Sequence, residues 1–116
     1  QQSLLRILQA YAVHNAGVGY CQGMSAIVGS IWALSHDEDE TFSIFLALMD
    51  SAGLSEFYKE GFPGIRRYVD ICMELTDVSE VDEHFAEGGL DVRMCIEQWL
   101  LTLFVDCLPK PAVVVI

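Results

Sequence analysis

The chain has 116 residues, with six Lys plus Arg against seventeen Asp plus Glu and a formal net charge of −11. That length allows one domain, and the 53% apolar content is ample for a core and excludes a disordered chain. The acidity speaks against a nucleic-acid binder, which needs clustered Lys and Arg on phosphates, and against an anionic membrane surface.

The longest apolar stretch, Met24 to Leu34, is interrupted by Ser25, Gly29 and Ser30 and falls short of the ~20 residues that span a bilayer, so no membrane insertion is expected. Gln1-Gln2-Ser3 resembles no signal or transit peptide, and the non-Met start is that of a piece of a longer chain. The four cysteines, Cys21, Cys72, Cys95 and Cys107, show no CxxC spacing. In a helical chain they read as free thiols of a reducing, cytosolic compartment. His14, His36 and His84 are scattered without a Cys at ligand spacing, so no metal site and no cofactor is expected.

From Ser3 to His14, Leu4, Leu8, Tyr11 and Ala12 form one helical face, and Asn15 to Gly19 break it. Met24 to Ser35 is apolar nearly all round, which predicts a buried helix. His36 to Glu40 forms a polar connection in which Asp37 or Asp39 caps the next helix; it lacks the spacing and central Gly of a calcium loop. Phe42, Phe45, Leu46 and Met49 carry that helix to a stop at Gly53.

Leu54 to Gly64 is irregular and aromatic, with Phe57, Tyr58 and Phe62 covering the core or meeting a partner. Pro63 suits a helix start, and Ile65, Tyr68, Val69, Cys72 and Leu75 continue the stripe. Ser79 with Asp82 resembles a capping box for a short helix bearing Val81 and Phe85, ended by Gly88-Gly89, with His84 half-buried. Asp91 caps a last helix, Val92 to Asp106, with Trp99 in the core, and Leu108-Pro109-Lys110-Pro111 ends it. Ala112 to Ile116 reads as a strand. The fold class is all-α: one multi-helix domain over residues 1–116, with two helices fully buried.

Gly17-Val18-Gly19-Tyr20-Cys21-Gln22-Gly23-Met24 is the least ordinary stretch. On spacing alone it reads as a tight helix-to-helix connection. It fails the dinucleotide fingerprint, which needs a third Gly where Gln22 stands, and it lacks the P-loop G-K-S/T and the G-x-S-x-G elbow. A cysteine hydrolase using Cys21 with His14 or His84 is an alternative that no local protease signature supports.

Tyr20-Cys21-Gln22-Gly23-Met24, preceded by Leu8-x-Ala10-Tyr11 and Asn15-x-Gly17-Val18-Gly19, resembles the TBC domain of Rab GTPase-activating proteins. The likeness continues through Thr41-Phe42, Leu46-x-x-Met49, His84-Phe85, Trp99 to Phe104 and Leu108-Pro109. It implies an all-helical activator of GTP hydrolysis by a GTP-bound Rab-type GTPase, not itself an enzyme. Such an activator is cytoplasmic, brought to endomembranes through its partner, and acts in vesicle trafficking.

The resemblance assigns Gln22 as the catalytic glutamine finger, taking over the task of the GTPase's own glutamine. It gives Tyr20 and Gly23 to partner binding, Tyr20 placing the loop and Gly23 admitting the partner's backbone. The family's arginine finger lies in an I-x-x-D-x-x-R motif some tens of residues upstream of Tyr-x-Gln. Only nineteen residues precede Tyr20, and Arg6, the one Arg among them, has no Asp three before it and reads as a solvated helix residue. The resemblance thus implies the central part of such a domain without its arginine finger. A TBC-like module that binds GTPases or other proteins without catalysis stays open beside it.

Overall fold

The computed structural model describes residues 2–77 and 79–109. Six α-helices follow one another: α1 (Gln2–His14), α2 (Met24–Ser35), α3 (Glu38–Leu46), α4 (Pro63–Leu75), α5 (Ser79–Glu87) and α6 (Val92–Leu101). A π-helical turn over Ala47–Ser51 prolongs α3, and a 3-10 turn over Leu54–Phe57 precedes α4. No strand occurs among the described residues, and no helix there is long and apolar enough to cross a membrane. The final strand read at 112–116 lies outside the described residues, as does the Ser79 side chain of the capping box.

Local chemistry sets the helix boundaries. Asp37 is extended and its Oδ1 accepts the Glu40 N–H at 2.8 Å, while Glu38, Asp39 and Glu40 occupy the positive first turn of α3. Asp91 does the same for α6, accepting the Arg93 N–H at 2.8 Å. Pro63 opens α4, and Gly53 closes the α3 extension.

The main core gathers Ile7 and Tyr11 of α1, Met24, Ile27 and Val28 of α2, and Phe45 and Met49 from α3 and its extension, with Leu54 and Tyr58. Tyr11 and Phe45 meet edge to face, ring centres 5.0 Å apart. A smaller cluster joins Ile65 and Val69 of α4 to Ile96 of α6. Phe57 and Leu101 pack against both clusters and couple them.

Several expectations are corrected. Helix α2 is covered along one stripe only, and Leu34 is 65% exposed. The residue types are apolar all round, but the helices packed on it, α1 and α3, leave Ala33 and Leu34 exposed. Helix α6 ends at Leu101 rather than Asp106, because Leu103 and Phe104 adopt left-handed backbone (φ 49° and 61°). The bend brings Leu103 against the main core, a tertiary demand that outweighs helical periodicity. Trp99 is consequently surface, 40% exposed, with its ring centre 6.3 Å from that of Phe104. His84 is exposed rather than half-buried. The aromatic segment divides: Tyr58 is core, Phe57 partly buried and Phe62 exposed.

Candidate functional site

Helix α1 ends where the Asn15 N–H donates to the Tyr11 carbonyl at 2.8 Å, and the Asn15 carbonyl accepts from Val18 and Gly19. Gly19 (φ 67°) turns the chain. The next four residues, Cys21 to Met24, form a β-turn closed by the Met24 N–H to the Cys21 carbonyl at 3.3 Å. Gly23 has φ 101° and ψ −35°, close to the third position of a type II turn, where a residue with a Cβ is strained. Gln22 therefore takes the second position, at the corner, and its side chain is exposed. Tyr20 is 57% exposed beside it.

Gly23 itself is buried. A Cβ placed there would lie 2.5 Å from the Leu101 carbonyl oxygen and 3.1 Å from its carbon. The close approach that this glycine permits is thus made to the chain's own α6. The Leu101 carbonyl accepts the Tyr58 hydroxyl at 2.6 Å. Nothing local in the sequence announces that Tyr58 and Leu101 underlie the turn. The only trace is that Tyr58 lies in the aromatic segment.

Residues 15–35 carry no Asp, Glu, Lys or Arg in a chain of net charge −11. The turn segment itself is neutral and brings no carboxylate of its own to Gln22. Helix α2 also has no acidic residue in its first turn, leaving the positive end of its dipole uncompensated next to Gln22. Arg6 is exposed and pairs with Glu38, its Nε donating to Oε2 at 2.9 Å. Its guanidinium thereby links α1 to α3 instead of standing free. That pair, with a further contact from Ser3, holds the Glu38 carboxyl down at about 2.

The cysteine alternative loses its chemistry here. Burial pushes the Cys21 thiol up, only partly opposed by its backbone contact at Gln22, whereas a nucleophilic thiol needs a lowered value. His14 Nε2 lies 3.2 Å from Asp50 Oδ2, and His84 stands exposed on α5, its ring edge-on to Phe85. All four cysteines are free. A cleft of about 460 Å³ opens between Leu54, Phe57, Pro63 and Tyr68, and a smaller one lies between Ile31, Leu34 and Ile44. The Gln22 turn lines neither of these clefts.

Comparison with known proteins gives that geometry a family. The Rab-GTPase-TBC domain family matches residues 1–116, and the chain belongs to it. It is 34% identical over 111 residues to the Rab GTPase-activating protein eat-17 of Caenorhabditis elegans, across 94% of this chain and 12% of that protein. It is 32% identical over 115 residues to the human growth hormone-regulated TBC protein 1, across 97% of this chain and 34% of the relative. Identity to the Rab GTPase-activating protein tbc-11 of Caenorhabditis elegans is 32% over 111 residues, across 94% of the chain and 12% of that protein. The chain thus spans about a third or less of these relatives. No solved structure matches.

Proposed function

We propose that this domain stimulates GTP hydrolysis by a GTP-bound Rab-type GTPase, with Gln22 entering the partner's nucleotide pocket as a glutamine finger. The observation that carries the reading is the exposed amide of Gln22 at the corner of a turn whose next residue is wedged under α6. A carboxamide donates and accepts at once, so it orients an attacking water against the γ-phosphate. Exposed Tyr20 gives the partner an amphipathic surface beside it. Relatives named as Rab GTPase-activating proteins support the same partner class. The domain works in the cytoplasm and reaches endomembranes through its GTPase, in vesicle trafficking.

An arginine finger adds ~10³–10⁵ in rate by neutralising charge on the transferring phosphoryl group. A neutral amide supplies no such charge, and Arg6, the one Arg ahead of Tyr20, is engaged with Glu38. Residues 1–116 alone are therefore expected to stimulate weakly. The same observation favours a second reading, a module that binds the GTPase without accelerating it.

Single-turnover hydrolysis with a panel of GTP-loaded Rab GTPases separates the two. The full-length protein carrying these residues should accelerate at least one Rab. Gln22→Ala should cut that acceleration ~10²-fold, the scale of one lost transition-state contact, with unchanged circular dichroism. Binding without acceleration in either form would establish the silent module.

A further inference from the structure

We infer that the Tyr58 hydroxyl is a positioning group for Gln22, acting through the Leu101 carbonyl; this rests on the glutamine-finger reading above. The argument begins with the carbonyls that end α6, which have no partners within the helix. Gln98 accepts from Thr102, Leu100 from Leu103, and Trp99 from Phe104. With the left-handed bend at Leu103 and Phe104, the Leu101 carbonyl has no backbone donor among the described residues. Its partner among the described residues is Tyr58 Oη, which reaches it from a residue 4% exposed and 43 positions away.

That same oxygen is the surface on which Gly23 rests. The ties within the turn are weak, Met24 N–H to the Cys21 carbonyl at 3.3 Å and Cys21 N–H to the Met24 sulfur at 3.4 Å, and on the helix side the Gly23 carbonyl accepts the Ala26 N–H at 3.1 Å. The first lies at the long edge of useful N–H···O bonding, and the second uses a thioether sulfur, a weak acceptor. Beyond the first turn of α2, the firm boundary is the Leu101 carbonyl, and the Tyr58 hydroxyl fixes its direction. Gln22 is one residue from that contact, and a misplacement of ~1 Å in a reacting group is enough to reduce turnover. Burial keeps the Tyr58 phenol protonated well above neutrality, so it remains a donor throughout the working pH range.

The test is a double-mutant cycle with Tyr58→Phe and Gln22→Ala in the full-length protein. It is read as stimulated turnover and KM for a GTP-loaded Rab, together with amide exchange of Gln22 to Met24. Tyr58→Phe should lower stimulated kcat about three- to tenfold, the worth of one net hydrogen bond. KM should stay unchanged, and exchange at the turn should quicken without a change in the exchange of α1. On the Gln22→Ala background Tyr58→Phe should cost nothing more. Equal losses on both backgrounds, or a loss confined to KM, would assign Tyr58 a general stabilising role and overturn the inference alone. A Gln22→Ala protein as active as wild type would instead overturn the glutamine-finger reading.

Discussion

Replacing Gly23 by Ala probes the contact that aims the turn. Two costs combine. The backbone at φ 101° is one that L-residues avoid, worth ~1–2 kcal/mol. The new Cβ also meets the Leu101 carbonyl oxygen at 2.5 Å, against ordinary contact from 3.4 Å, so α6 must retreat. Retreat strains the Tyr58 hydrogen bond, and leaving that part-buried acceptor unpaired costs about 1 kcal/mol or more. The sum is about 3 kcal/mol, or roughly 10 °C in Tm for a domain of this size. Gly19→Ala is the control: φ is 67° and no atom lies within 4 Å of its added Cβ, so only the backbone cost remains, ~1 kcal/mol. Denaturant unfolding of both variants gives the difference. Equal destabilisation would show that the Leu101 contact does not constrain the turn, and the wedge argument would fail.

Other outcomes follow from the same structure. Arg6→Gln should return the Glu38 carboxyl from about 2 toward the ordinary carboxylate range, read by NMR titration. Because the folded value is the lower one, the pair's stabilisation is present above the unfolded value near 4.5 and is lost as pH falls toward 2. Arg6→Gln should thus flatten the acid limb of the stability curve between those limits. Asp37→Ala removes the cap on the Glu40 N–H and should cost ~1 kcal/mol in denaturant unfolding, with Asp37→Asn recovering most of it. Cys21→Ser should leave GTPase stimulation intact, while exposed Cys107 should react with a thiol reagent before part-buried Cys21. Faster labelling of Cys21 would contradict the raised thiol.

The sequence showed most of what local chemistry controls. Asp37, Asp91 and Pro63 begin helices where their side chains say they should; of the stripes, Tyr11 in α1 and Ile65 and Val69 in α4 are core, while Tyr68 and Leu75 are exposed and Ile7, outside the stripe as read, is buried. It misled where tertiary contacts decide. Trp99 and Leu34 look like core by residue type, yet no element covers them fully. Helix α6 stops early because Leu103 is needed in the main core. At the site, the exposure of Gln22 follows from a turn legible in its flanking glycine. The burial of Gly23 does not, since its neighbour is Leu101, 78 positions further on. Tyr58 escaped for the same reason: a long-range hydrogen bond leaves no periodic trace.

A Rab whose own water-orienting glutamine has been replaced by Ala isolates the donated amide. With the full-length protein, stimulated hydrolysis by that Rab should persist, and it should vanish when Gln22→Ala is used instead. Loss of stimulation with the wild-type protein, or its persistence with Gln22→Ala, would contradict a glutamine supplied in trans.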